Sequence, residues 1–268
     1  MPLAFLRLDL EYAKRGYARY AAYPAATLAG LFTNTVFGFM RAFILLALFE
    51  GGGEIGGYDR AATVTYAWLT QGLAATIFIW GWQDLGLRIR TGDIATDLIR
   101  PVHPLRAGLA FDVGRSLYHA IFRGVPPVVI GSLVFGITTP SGPAVWLAFG
   151  LSCGLAIVVS YAFRAIYNVA SFWLLDWRGT TILAITAANF FSGFVIPVAF
   201  FPLPLEAIAR ATPFPAMLQV PVDIFVGRVA GAEVVAALAS QLAWAILLLL
   251  AATWLFDRGV RRLVVQGG

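Results

Sequence analysis

Charge is the scarcest ingredient of this sequence. Asp, Glu, Lys and Arg supply 12% of its 268 residues, against about a quarter in a soluble domain. Hydrophobic residues make up 60% and the mean hydropathy is +0.80. The apolar residues run in blocks too long for soluble helices, whereas a bilayer crossing needs about 20 such residues. Cys153 is the one cysteine, which excludes an intrachain disulfide and a cysteine-built metal cluster. His103 and His119 stand apart with no acidic partner at ligand spacing, so no metal site is expected. A pI near 9.7 raises the question of nucleic acid. No long basic stripe is present, and the arginines sit at the ends of apolar blocks, where a cytoplasmic membrane face calls for them. No G-x-x-x-x-G-K-[ST] run occurs, so this chain has no loop of that kind to hold a nucleotide's phosphates. No repeat and no linker divides the chain, and residues 1–268 read as a single transmembrane domain.

What is present is a series of apolar blocks. Residues 1–23 carry Arg7, Asp9, Glu11, Lys14, Arg15 and Arg19, which rule out a signal-peptide core. Leu3, Leu6, Leu10, Ala13, Tyr17 and Tyr20 recur there at helical spacing, which predicts an amphipathic helix in the headgroup plane. Six spans are expected, at 25–49, 61–82, 116–138, 144–175, 180–201 and 236–256. Pro126 and Pro127 predict a kink in the third. The fourth is longer than a bilayer needs, so its end should project or bend. Glycine-rich residues 50–57 form a loop. Residues 202–235 hold five prolines and scattered charges, and read as an external re-entrant or interfacial segment with amphipathic helices before the last span. The expected fold is therefore an all-α polytopic membrane protein.

Orientation follows from the loops. Arg7, Lys14, Arg15 and Arg19 precede the first span, Arg88 to Arg123 cluster after the second, Arg178 follows the fourth, and Arg258, Arg261 and Arg262 end the chain. With six spans all of these share one face. The other face has Arg60, Arg210 and Arg228 beside Glu50, Glu54 and Asp59. Both termini are therefore expected in the cytoplasm.

The most informative stretch is the charged segment 83–115. Within it Asp93 can cap a short helix that Pro101 stops, and Ile94 and Leu98, four apart, share a face. So short a helix needs a support. The run Ile89-Arg-Thr-Gly92-Asp93-Ile94-Ala-Thr-Asp97-Leu98-Ile-Arg100-Pro101, combined with six spans, resembles the cytoplasmic loop of the type-2 exporter permeases of ATP-binding-cassette transporters, in the bacterial branch for drug or antibiotic export. The segment from Phe200 to Gly227 also resembles that branch, and the likeness covers nearly the whole chain. Arg164 inside the fourth block departs from it, since an uncharged residue is expected there.

The resemblance implies a permease in the bacterial inner membrane that moves a lipophilic or amphiphilic substrate outward. Two permeases, identical or homologous, would form the pathway, and two separate ATPase subunits would bind ATP and Mg²⁺ and drive it. No cofactor is expected on this chain, and no nucleic-acid partner. Residues Gly92–Arg100 would be the coupling helix. Ile94 and Leu98 would give apolar contact to the ATPase, while Arg90, Asp93, Asp97 and Arg100 would set register beside Gly92. By the same resemblance the first and fifth spans, with Asn34 and Asn189, would meet the second permease. Asn34, Gln71 and Asn189 also admit two readings of their own, a lined substrate path or ordinary interhelical hydrogen bonds. Two other classes stand beside the exporter. Asp93 and Asp97 form a D-x-x-x-D that could hold Mg²⁺ on a diphosphate, as in a membrane prenyltransferase. An ion-coupled carrier would need ionisable groups at membrane depth, for which Arg41 and Arg164 are the candidates.

Overall fold

The computed structural model describes residues 2–78, 84–174 and 178–262. Among the described residues all regular structure is helical. The helices are α1 (Pro2–Ala21), α2 (Pro24–Ala47), α3 (Arg60–Leu73), α4 (Asp84–Thr91), α5 (Ala95–Leu98), α6 (Pro104–His119), α7 (Val125–Phe135), α8 (Pro143–Val169), α9 (Arg178–Phe191), α10 (Leu203–Arg210), α11 (Gln219–Phe225) and α12 (Ala232–Val260). Local chemistry sets many of the ends. Proline occupies the first turn of α2, α6 and α8, where its missing N–H costs nothing. The Asp59 carboxylate accepts from Ala62 N at 2.7 Å and caps α3. Gly136, left-handed at φ 72°, closes α7.

Four helical stretches are long and apolar enough to cross a membrane: Pro24–Ala47, Pro104–Phe135, Pro143–Phe172 and Ala232–Val260. The other two expected spans are shorter. α3 passes into a π turn at Ala74–Phe78, and residues 79–82 of that expected span lie outside the described residues. α9 stops at Phe191 after 14 residues, about 21 Å at 1.5 Å per residue. The chain then turns through Gly193, at φ 85°, and does not continue as helix to 201. Apolarity persists through this stretch, but the helix does not.

The third expected span begins earlier than the sequence suggested. Helix runs from Pro104, so residues 104–115, read as loop, belong to it. The disturbance expected at Pro126-Pro127 takes the form of a π turn at Ala120–Gly124, just ahead of the prolines. A second π turn, at Ala74–Phe78, lies against it, and Gly72 and Gly124 mark the crossing. A Cβ on Gly72 would sit 2.6 Å from the Gly124 carbonyl oxygen. The long fourth block ends, as expected, by bending into a 3₁₀ turn at Ala170–Phe172, while residue 175 lies outside the described residues.

α8 is the central strut. Its first half joins the larger apolar core with Tyr58, Tyr66, Leu69, Met217 and Val222. Its second half joins a separate core with Leu85, Ile89, Ile94 and Phe256. The two cores mark the two ends of the molecule. The basic end gathers α1, α4, α5, the start of α6 and the last turns of α8 and α12. The opposite end gathers the loop 50–59, the turn after α9, α10 and α11.

α1 is not a helix lying by itself. It runs parallel to α6 in close backbone contact, because Gly16 and Gly114 remove the side chains between them. A Cβ on Gly114 would lie 1.8 Å from the Ala13 carbonyl oxygen. Ala13, Tyr17 and Tyr20, expected on the lipid face, lie on the α6 side, and Tyr17 and Tyr20 pack against Tyr118. Leu6 and Leu10 stay exposed.

Candidate coupling surface

At the basic end α4 and α5 form a hook. α4 ends at Thr91, and Gly92 turns left-handed at φ 81°. Ile94 N then reaches back to the Arg88 carbonyl at 3.1 Å and closes the turn. Asp93 does not cap forward with its side chain as expected. Its carboxylate accepts the Thr91 hydroxyl at 2.6 Å, and its backbone carbonyl accepts Thr96 N and Oγ1.

The hook is fixed to the bundle by its inner edge. Ile94 has no exposed surface and packs among Leu85, Ile89, Leu105, Tyr161 and Phe256. Leu98 is partly buried against the same cluster. The apolar edge expected to meet a partner is thus turned into the chain's own spans. Hydrophobic spacing identified the edge but not what it faces. Gly86 N donates to Asn168 Oδ1 at 2.9 Å, laying α4 on the end of α8. Tyr161 OH donates to the Leu105 carbonyl at 2.7 Å.

Ion pairs tie the hook together. Asp97, nearly buried, pairs with Arg88 at 2.5 Å and with Arg100 at 3.4 Å. Arg19 joins α1 to α4 through Asp84 at 2.9 Å, and Arg106 grips Asp9 with two bonds, at 2.7 and 3.1 Å. His103 Nε2 lies 3.3 Å from Asp257 and brings α12 to the start of α6. The outward side carries Leu87 (56% exposed), Ile99 (86% exposed), Arg90, Gly92, Asp93 and Arg100. Beside it a cleft of about 280 Å³ opens between α1, α4, α5 and α6, walled by Tyr12, Arg19, Leu87, Arg100 and Phe111.

Behind the hook lies a buried ion cluster. Asp112 accepts from Arg115 Nε at 2.6 Å and from Arg164 Nη2 at 2.6 Å. Arg115 also donates to the carbonyls of Ala75 and Thr76, at 3.1 and 3.0 Å, in the first turn of the π segment. This explains the departure at Arg164. Its charge is met by a carboxylate on α6, and Asp112 was not available as a partner while residues 83–115 were read as loop. Counting depth along both helices was the signal that could have found it. Arg115 lies twenty residues before Phe135 and Arg164 twenty-one after Pro143, each about 30 Å from the opposite end.

The remaining candidates are dispersed. Asn34 is buried on α2 and donates to the Arg123 carbonyl at 3.4 Å. Gln71, buried on α3, accepts from Arg41 at 3.3 Å. Asn189 on α9 has a buried Oδ1 with no hydrogen-bond partner among the described residues. No group of three His, Cys, Asp or Glu side chains suited to a metal occurs among the described residues.

At the opposite end Gln219 is a hub that sequence reading missed. Its Oε1 accepts from Tyr66 OH at 2.8 Å and Val198 N at 2.9 Å. Its Nε2 donates to Tyr58 OH at 2.7 Å and to Asp223 at 2.9 Å. Tyr58 OH also donates to Asp223, and Arg228 pairs with it at 3.3 Å. Burial raises the Asp223 carboxyl above the ordinary carboxylate range, against the lowering effect of the Tyr58 and Gln219 hydrogen bonds and of Arg228 and Arg210.

Comparison with known proteins assigns this architecture. The family described as ABC-2 family transporter protein matches residues 35–267, nearly the whole chain. No curated protein and no solved structure matches. With its multi-pass apolar helices and a match of that extent, the chain belongs to the ABC-2 family of transporter proteins, as a membrane-embedded transport component.

Proposed function

We propose that this chain is the permease subunit of an ATP-driven exporter for a lipophilic or amphiphilic substrate. Two permeases and two separate ATPase subunits make up the working complex, and ATP and Mg²⁺ are bound by the ATPases. The basic end faces the cytoplasm, in accord with the excess of arginine there. α3 with its π turn and α9 supply the fifth and sixth crossings, the first spanning 19 described residues, about 28 Å. α1 and the start of α6 lie at the inner interface, with Leu6 and Leu10 toward lipid. α2 and α9 face the second permease. Asn189 serves that contact better than Asn34, whose side chain is spent inside the chain.

The single observation that carries the reading is the clamped hook with an unclamped outer face. A lever must be stiff toward the part it moves and open toward the part that pushes it. Ile94, the Arg88–Asp97 pair and the Gly86–Asn168 bond make the inner side stiff. Ile99 and Leu87, rimmed by Arg90, Asp93 and Arg100, leave an apolar knob with charged borders for the ATPase. Motion of the hook passes to α8 and α12 through the apolar cluster. It passes to α6 and the π turn after α3 through the Asp112 ion cluster. The same ion pairs weaken the Mg²⁺ enzyme reading, because Asp97 is committed to Arg88 and Arg100.

Ile99→Asp tests this. It should leave folding and membrane insertion intact, since the side chain is in open solvent, and abolish ATPase co-purification and coupled ATP hydrolysis. Wild-type binding and transport by that variant would end the coupling assignment.

A further inference from the structure

The two arginines of the Asp112 cluster share a carboxylate, but two other arginines inside the spans have none. Arg41 lies six residues before the end of α2 at Ala47, about 9 Å along the axis. It turns inward, donating to Thr70 Oγ1 at 3.0 Å, Gln71 Oε1 at 3.3 Å and the Phe194 carbonyl, and it lies 4.6 Å from the Phe194 ring centroid. Its Nε is buried and has no partner among the described residues. The titratable group that faces it is Tyr66.

Arg123 sits in the π turn, twelve residues before Phe135. Its side chain lies across the backbone of α2 at Gly30, where a Cβ would come within 2.3 Å of its Nη2. Among the described residues its guanidinium makes no hydrogen bond and no ion pair, and its Nε is buried. Tyr118 and His119 are the titratable groups facing it. A cation held at membrane depth is costly unless something answers its charge. The three groups that accept from Arg41 are neutral, and among the described residues no carboxylate pairs with either arginine.

The two sites share one helix. Gly30 and Arg41 are eleven residues apart on α2, about 16 Å, with Asn34 between them. The outward side of α2 exposes Phe37, Met40, Phe43 and Ile44. Cation and apolar stripe together describe a ligand with an anionic head and an apolar tail. We propose that Arg123 and Arg41 are two successive stations, at different depths, for the anionic headgroup of an amphiphilic cargo whose tail runs along α2. The proposal rests on the exporter reading and narrows its substrate class to anionic amphiphiles.

The test uses the permease with its ATPase in phosphatidylcholine vesicles, titrated with dansylundecanoic acid and with the uncharged amide of the same probe. The acid should bind saturably and the amide weakly. Arg41→Gln and Arg123→Gln should each weaken binding of the acid about tenfold. Arg41→Lys and Arg123→Lys, which keep the charge, should retain it. ATP should then move the acid across the vesicle membrane. Equal binding of acid and amide, undiminished binding in both glutamine variants, or lysine variants as weak as the glutamine ones would overturn the proposal. So would added phosphatidylglycerol that displaces the probe and stays bound through turnover, since the occupant is then a resident lipid. ATPase co-purification, measured in parallel, separates any of these failures from failure of the exporter reading.

Discussion

The two ends of the molecule are held by different chemistry. At the basic end the ion pairs Arg19–Asp84 and Arg106–Asp9 and the polar contact His103–Asp257 are largely exposed. Pairs of that kind contribute little each, so they set register while Ile94 and its apolar neighbours supply the hold. At the opposite end the apolar core surrounds a polar hub, and Gln219 alone meets Tyr58, Tyr66, Asp223 and Val198. One end is stapled many times at its surface, and the other is tied once in its interior. Redundant surface pairs tolerate the loss of any one of them, whereas a single interior network is made or broken as a unit.

The largest effect should come at the basic end, where the hold is apolar. Ile94→Asp places a carboxylate in a fully enclosed apolar site. It should destabilise the hook by about 5 kcal/mol or more unless the side chain is expelled. Reduced yield and a lowered melting temperature of the detergent-purified protein are the expected outcome. An apolar contact reserved for a partner, as the sequence suggests, would instead let an aspartate here spare the fold. Wild-type stability would show that packing does not hold this end.

Next in size is the hub. Gln219→Ala leaves Tyr66, Val198 N, Tyr58 and Asp223 each short of a partner, and should cost about 3 kcal/mol. The loss should fall on residues 192–228, seen as faster hydrogen exchange there with the hook unchanged. If exchange accelerates equally at both ends, the two regions are not independent and the contrast between them is lost.

The sequence foretold the helical class, the bent end of the fourth block and the short helices at Leu203–Arg210 and Gln219–Phe225. These follow from local signals: apolar run length, proline placement and charge. What it could not convey was orientation around a helix axis. Ile94 and Leu98 announce an apolar edge, yet the same spacing serves a partner's groove or the chain's own core. Long-range polar pairs were hidden for a related reason. Asp112 and Arg164 are 52 residues apart, and Gln219 and Tyr58 161. Such pairings depend on which helices become neighbours. The end of α9 at Phe191 was missed because apolar composition continues past the point where Gly193 turns the chain. Of the candidate coupling surface, the apolar edge was legible and its facing was not.

The smallest expected effect is a pH dependence confined to the opposite end. Asp223 is buried, and that burial raises its carboxyl above the ordinary value of 3.8, despite Tyr58, Gln219, Arg228 and Arg210 around it. A carboxyl whose value is higher in the folded state binds its proton more tightly there than in the unfolded chain. Stability from this group is therefore gained as pH falls through the raised value, and is lost as pH rises through it. The change cannot exceed about 1.4 kcal/mol per pH unit for one group. Hydrogen exchange of residues 219–228, corrected for intrinsic rates, should slow on mild acidification, while the hook at 84–100 shows no matching gain. Asp223→Asn, which keeps the shape and removes the titration, should flatten the response. A response that survives in Asp223→Asn would assign it to another group, and a response of equal size in the hook would show that acid stabilises the molecule as a whole and not the interior tie at one end.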